Sequence, residues 1–340
     1  VAASISYLAA AKSKEALKFC GPIIKEDNKK LMPALVKLMG RAGGDAEEKI
    51  LLDWFDGDTA TPELKYAAIE ALGEIGSSKA AARLSKLVED PEAGKVPRMF
   101  ACTALGKIKD ESSVSSLAKA ASDQDPNVQA AAVEALGSFS GSASPAGVEA
   151  RGALVQALRA SFPKTRIAAC KAAGQGKISD ALPFLKYKAR NDPERSVKVE
   201  ALKALAAIGG EEDFAFLRER LDDGKESPEL RALCFGLLGR YDPAGSLGAL
   251  GSRLKAEAAE KERSFYTALA REISNSDKSP DLAPLARILV ADKDYAIRIA
   301  AIEWARKTKS AGFKADLESL ASGDPSEAIR KRAAAALKAY

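Results

Sequence analysis

Apolar residues in this chain fall three or four positions apart, as in Leu84 and Leu87, Val114 and Leu117, Leu154 and Leu158, Leu182 and Leu185, or Phe214 and Leu217. That spacing predicts amphipathic helices with one buried stripe each. Between them run Ala-rich stretches that align without gaps: Ala68-Ile69-Glu70-Ala71-Leu72-Gly73-Glu74-Ile75, then Ala101-Cys102-Thr103-Ala104-Leu105-Gly106-Lys107-Ile108, then Ala132-Val133-Glu134-Ala135-Leu136-Gly137-Ser138-Phe139. Equivalent positions continue through Leu8, Met39, Leu72, Leu105, Leu136, Ala173, Leu205, Leu238, Leu269, Ala305 and Leu337, separated by 31, 33, 33, 31, 37, 32, 33, 31, 36 and 32 residues. A period near 33 held this long means stacked supersecondary units, each covering the apolar face of its neighbour.

Each unit reads as two helices, A and B. Asp125-Pro126, Asp192-Pro193, Ser227-Pro228, Thr61-Pro62 and Asp324-Pro325 predict A-helix starts, with a side-chain acceptor at the cap and proline where no donor is lost. Gly73 with Gly76, Gly137 with Gly141, Gly174 with Gly176, and Gly209-Gly210 predict the break before helix B. The two long intervals predict surface loops at Gly137 to Gly147 and around Ser274 to Asp277.

The A helices resemble the HEAT repeat, in which the start is followed by an aliphatic and then a basic residue. Val197-Lys198, Leu230-Arg231, Ile297-Arg298 and Ile329-Arg330 carry the pattern, Leu64-Lys65 and Thr165-Arg166 are looser copies, and Val128-Gln129 departs by losing the cation. The resemblance covers essentially the whole chain. It implies an all-α, right-handed α-α superhelix of about ten hairpins, a HEAT-like (armadillo-like) solenoid, with residues 1–340 as a single array. Residues 1–11 read as the last part of an A helix and residues 325–339 as an A helix without its B partner, so an array cut inside a repeat at both ends is expected.

Composition narrows the chemistry. The chain has no histidine, which removes the commonest general base, the Ser-His-Asp and Cys-His arrangements and most zinc chemistry, including the His-Glu iron sites of HEAT-like hydroxylases. No P-loop occurs, and Gly174-Gln175-Gly176 falls in an expected turn. Cys20, Cys102, Cys170 and Cys234 stand alone, the last three in nearly the same A-helix slot, and read as small buried hydrophobes. Lone thiols fit a reducing compartment, although an exported chain stays open. Trp54 between Asp53 and Asp56 superficially resembles the aromatic and carboxylate cleft of HEAT-like alkylpurine DNA glycosylases; both Trp54 and Trp304 read as packing residues. No run of apolar residues is long enough to cross a bilayer.

Net charge is only +5, from 52 basic and 47 acidic residues, too small for a dedicated nucleic-acid binder. The cations nevertheless keep the repeat spacing: Lys86 and Lys119, then Lys188, Arg220, Arg253 and Arg287. They sit near B-helix ends, where the helix dipole favours positive charge whatever the function. B helices line the concave side of HEAT arrays, so the resemblance places this ladder along an inner groove. The expected function is a non-catalytic, cofactor-free scaffold that holds an acidic or amphipathic protein or peptide segment, with nucleic-acid binding along the stripe as the alternative and a lyase-like activity a third reading.

Overall fold

A computed structural model describes residues 1–25, 30–57, 60–242, 263–275 and 282–340. Every regular element among them is helical. The chain forms two compact units, Val1–Ala204 and Leu205–Tyr340.

In unit 1 the A layer consists of α1 (Ala2–Ala10), α3 (Met32–Ala42), α5 (Pro62–Ile75), α7 (Lys95–Ile108), α9 (Pro126–Gly137) and α11 (Pro163–Gln175). The B layer consists of α2 (Cys20–Lys25), α4 (Asp45–Asp56), α6 (Ser78–Glu89), α8 (Val114–Ala120), α10 (Pro145–Ala157) and α12 (Leu182–Asn191). Each A helix packs on the A helix one repeat away and on flanking B helices, so sequence order is stacking order. α13 (Arg195–Ile208) contains the unit boundary. Unit 2 repeats the scheme, with A helices Pro228–Tyr241, Arg263–Asn275, Tyr295–Thr308 and Glu327–Leu337 and B helices Glu211–Asp222, Ala283–Val290 and Lys314–Gly323.

The helix starts at Thr61, Asp125 and Ser227 are as the sequence predicts: each side chain accepts an amide of the first turn, Leu64, Asn127 and Leu230 respectively. Asp192 and Asp324 differ. The helices that follow begin at Arg195 and Glu327, the second capped by Ser326, while each aspartate accepts the amide two residues on, from Glu194 at 3.1 Å and Ser326 at 2.8 Å. Their carboxylates are thereby turned toward arginines, as described below.

The glycine reading holds in part: Gly76, Gly176 and Gly209 stand directly past the ends of their A helices, but Gly73, Gly137 and Gly174 need correction. Gly73 and Gly174 lie inside their A helices and Gly137 is the last residue of α9; none breaks the helix before it. They are contact points. A Cβ on Gly73 would lie 2.8 Å from Ala104 Cα, and one on Gly40, Gly106 or Gly174 would lie 2.9 Å from the Cα of Ala71, Ala135 or Ala204. The recurring Gly and the Ala one repeat on are therefore a seam that brings successive A-helix backbones together. Reversal happens just beyond, at left-handed residues: Gly76 (φ 78°), Lys109 (φ 58°), Lys177 (φ 47°) and Lys309 (φ 50°). The first long loop is pinned, with Arg151 donating to the carbonyls of Ser140 at 2.8 Å and Ser142 at 2.7 Å; much of the second lies outside the described residues.

A ladder of arginines crosses the layers. Arg98 donates to Val88 O near the end of α6 at 2.9 Å and pairs with Asp123 beyond α8. Arg166 donates to Ala160 O at 3.0 Å and Ser161 O at 2.8 Å, and grips both oxygens of Asp192 at 2.8 Å. Arg298 donates to Val290 O at 3.0 Å and pairs with Asp324. Arg231 donates to Leu221 O at 2.8 Å. Arg98, Arg231 and Arg298 cap open carbonyls at the end of the preceding B helix and Arg166 those just beyond it, while Arg98, Arg166 and Arg298 also tie them to an aspartate at the end of their own repeat. Burial pushes the Asp192 carboxyl upward, but hydrogen bonds from Arg166, the Glu194 amide and Lys188 together hold it below its ordinary value.

The thiols are core groups: Cys102, Cys170 and Cys234 are fully buried, and burial pushes each up to about 12.

The seam and the rungs make separate predictions. Helix propensity favours Ala over Gly by roughly 1 kcal/mol, so Gly152→Ala, which meets nothing within 4 Å, should raise the urea midpoint. Gly106→Ala should lower it instead, and hydrogen exchange should localise the loss to α7 and α9; a stabilised Gly106→Ala chain would remove the seam. Asp192→Asn leaves a buried guanidinium uncompensated and should cost about 3–5 kcal/mol, while a well-packed Arg166→Met, Asp192→Leu pair should cost much less. Because the Asp192 pKa is depressed on folding, its contribution is fully present above the ordinary carboxylate value of 3.8 and is lost as pH falls through the lower folded value. Urea titrations from pH 6 to 2 should therefore show the wild-type advantage over the double variant shrinking only below that ordinary value.

Candidate functional site

The surface built by the B-helix ends carries the repeating cations, and the structure places them individually. Lys119 on α8 bonds Glu89 of α6 at 3.0 Å, where Ser116 also donates at 2.8 Å. Lys188 on α12 reaches Asp192 at 3.2 Å, adding to the grip of Arg166. In unit 2, Arg220 is nearly buried among Glu219, Asp223 and Glu226, at 2.9, 3.1 and 3.8 Å. Arg287 bonds Asp316 of the next B helix at 3.0 Å. Lys86 is exposed and has no ion pair among the described residues, and Arg253 lies outside them.

The periodic cations are thus mostly joined to carboxylates, and two of those pairs, Lys119 with Glu89 and Arg287 with Asp316, bridge one B helix to the next. Lys79 to Glu48 and Arg83 to Asp56, both 2.6 Å, continue this lacing between α6 and α4. The Arg83 contact also accounts for Asp56. Trp54 is half-buried on α4, and Trp304 lies in the unit 2 core against Phe313.

What the periodic reading missed lies between α10 and α12. Arg159, one residue past the C-cap of α10, has no carboxylate partner among the described residues; its guanidinium sits 4.6 Å above the Phe184 ring of α12. Tyr187, one turn along α12, is 61% exposed, with the Lys188 ammonium 6.0 Å from its ring centroid. Beside Arg159 a cleft of about 420 Å³ opens between α8 and α10, bordered by Ala121, Ser122, Gln129, Gln156 and Ala160. Gln129 is the position where the aliphatic-basic pattern fails. Its amide donates to Asp123 O, and its oxygen accepts the Thr165 hydroxyl at 2.8 Å. That departure was the one signal in the sequence for this place. Arg159 itself falls in the lengthened interval, out of register with the other cations.

The gathered groups can bind but show no nucleophile set beside a base. No cluster of three or more potential metal-ligating side chains occurs among the described residues, and no helix there is long and apolar enough to cross a membrane.

Comparison with known proteins gives a consistent frame. Among solved structures, the chain is similar to one from the complex of CpcE and CpcF of phycocyanin lyase from Nostoc sp. PCC7120, at 18% identity and a TM-score of 0.42, covering 86% of this chain and 93% of that one. It is also similar to a chain in a structure of Kap95p with RanGDP, at 14% identity and a TM-score of 0.49, covering 90% of this chain and 53% of the other. A third likeness is to human deoxyhypusine hydroxylase, at 18% identity and a TM-score of 0.33, covering 98% of both. A search of curated protein sequences finds no match. A sequence model of the family described as Spirochaete HEAT repeat protein matches residues 1–336, and with that match and the stacked helical pairs the chain belongs to the spirochaete HEAT repeat protein family.

Proposed function

We propose that the chain is a non-catalytic scaffold that holds a protein or peptide segment against the B-helix ends of unit 1. The observation that carries this reading is the α10–α12 surface, where Arg159, without a carboxylate partner among the described residues, is stacked on Phe184 next to exposed Tyr187. Aromatic and arginine side chains dominate the energetics of protein interfaces, because they bury large area at small entropic cost while keeping a polar handle. A stacked guanidinium has already lost part of its freedom, so recruiting it to a partner costs less than recruiting a loose lysine.

The charge arrangement disfavours the nucleic-acid reading. Lys119, Lys188, Arg220 and Arg287 all have carboxylates within 4 Å, so neutralising a phosphate backbone would require breaking pairs that lace the repeats. A protein segment needs only the few uncompensated groups.

The test is retention of a random decapeptide library on the immobilised chain. Tyr187→Ala should lower retention about tenfold or more, the loss of roughly 1.4 kcal/mol that a moderate interface anchor carries, while Thr103→Ala on the exposed A side should leave it unchanged. A 20-bp duplex should bind weakly. Tight duplex binding with a steep logarithmic dependence on salt, unaffected by Tyr187→Ala, would replace this reading with the nucleic-acid one.

A further inference from the structure

The cleft beside Arg159 occupies a particular place in the arginine ladder: the rung that is missing. At a complete rung, an A-helix arginine reaches the end of the preceding B helix and an aspartate closes its own repeat, as Arg98 does with Val88 O and Asp123 and Arg166 does with Ala160 O, Ser161 O and Asp192. In the repeat between them both partners are gone. Gln129 stands where the arginine would be, and the segment after α10 reads Leu158-Arg159-Ala160-Ser161-Phe162, with no carboxylate. Gln129 keeps the bond to a preceding carbonyl, Asp123 O, but the charge pair is lost, and beside it lies the cleft walled by alanines and by the neutral polar groups of Ser122, Gln129 and Gln156.

The charge at the opening decides what fits. No carboxylate borders the cleft, and Arg159 is the one charged side chain on its wall, held over Phe184 and without an acidic partner among the described residues. An incoming cation would meet repulsion and no counter-charge. An incoming carboxylate would meet a planar two-pronged donor, with amide and hydroxyl groups for its second oxygen, and charge-assisted bonds of this kind are about twice as strong as neutral ones. A phosphate backbone needs several uncompensated cations in a row, and this wall supplies one.

We infer that the vacated rung is the anchor site for an acidic side chain, glutamate or aspartate, carried by a protein segment lying across the B-helix ends of unit 1. This rests on the scaffold reading above and adds the chemical class of the anchoring residue. The ligand carboxylate stands in for the aspartate that the repeat lacks, and Arg159 stands in for the missing A-helix arginine from the opposite side.

The experiment uses the full chain and synthetic decapeptide pools in which the central residue is fixed as Glu, Asp, Gln, Lys or Ala and the rest is randomised. The Glu and Asp pools should be retained about tenfold more than the Gln and Ala pools, and Arg159→Glu should abolish that preference or turn it toward Lys. A second variant, Gln129→Arg with Ala160→Asp, rebuilds the rung from within; it should raise the thermal midpoint and remove the acidic preference together, which shows folding and site occupancy in one chain. Preference for Lys or Ala pools in the unsubstituted chain overturns the assignment. So does an acidic preference that survives both variants. Peptide retention that falls with Tyr187→Ala but ignores Arg159→Glu and the rebuilt rung sinks the acidic anchor while leaving the scaffold standing. Retention of a 20-bp duplex in place of peptides, lost on Arg159→Glu, assigns the cleft to phosphate and overturns the proposal. If the unsubstituted chain retains no pool, both readings fall.

Discussion

The stack depends on one recurrent need: a short B helix ends with backbone carbonyls that its own turns cannot satisfy, and those carbonyls face the start of the next A helix. An arginine there answers the need twice, donating to the open carbonyls and complementing the negative end of the helix dipole. Val88, Leu221 and Val290 supply the carbonyls in three separate repeats, all within the last two positions of their B helices. Where the basic member of the aliphatic-basic pair is arginine, as at Leu230-Arg231 and Ile297-Arg298, the pair therefore has a clear physical meaning. The aliphatic residue, such as Val197, Leu230, Ile297 or Ile329, is buried, and in the last three pairs the neighbouring arginine donates to a carbonyl at or just past the end of the preceding B helix.

This requirement shapes the surface as well as the core. Arginines that cap carbonyls need carboxylates to offset the cost of burial, and Lys119 and Lys188 at B-helix ends find acids on a neighbouring repeat or turn. Regularly spaced charge is thus largely consumed inside the architecture. Binding capacity collects where regularity fails, because an interrupted rung leaves both space and unspent charge. The repeat of Gln129 and Arg159 is such an interruption, and it is also the repeat that contains the pinned loop at 138–144. In a periodic molecule, the informative position is the exception to the period.

The same logic explains what could be read from the residues. The stacking of paired helices was legible because its cause, apolar residues at helical spacing in Ala-rich repeats, lies within each repeat. Caps at Thr61, Asp125 and Ser227 were legible because a cap and its amide are three residues apart or fewer. Asp192 and Asp324 were misread because their strongest partners, Arg166 and Arg298, stand 26 residues away, a distance at which no local rule operates. Gly73, Gly137 and Gly174 were misread because a glycine that ends a helix and one that admits a neighbouring backbone look alike until the neighbour is in place. Arg98 escaped notice because Pro97, not an aliphatic residue, precedes it. Arg159 escaped because its value comes from the lack of a partner, which sequence cannot display.

The two units solve the packing problem with different materials. Unit 1 closes its A layer through glycine and alanine, where contact between backbones sets the spacing of successive helices and tolerates little change. Unit 2 fills its interior with large side chains: Phe235, Tyr266, Trp304 and Phe313 are each at most 2% exposed, and Phe265 packs beneath the Arg231 guanidinium at 4.4 Å. Backbone contact fixes register more tightly than side-chain contact, since a backbone has no rotamers with which to adapt. A missing rung set in a compliant stack would simply collapse, as neighbouring helices moved in to refill the space. Set beside α9, whose backbone meets α7 where Gly106 abuts Ala135 and meets α11 where Gly137 abuts the Ala172 side chain, it persists as an open cleft between α8 and α10. The small residues that make unit 1 look featureless in composition are what keep this gap from closing.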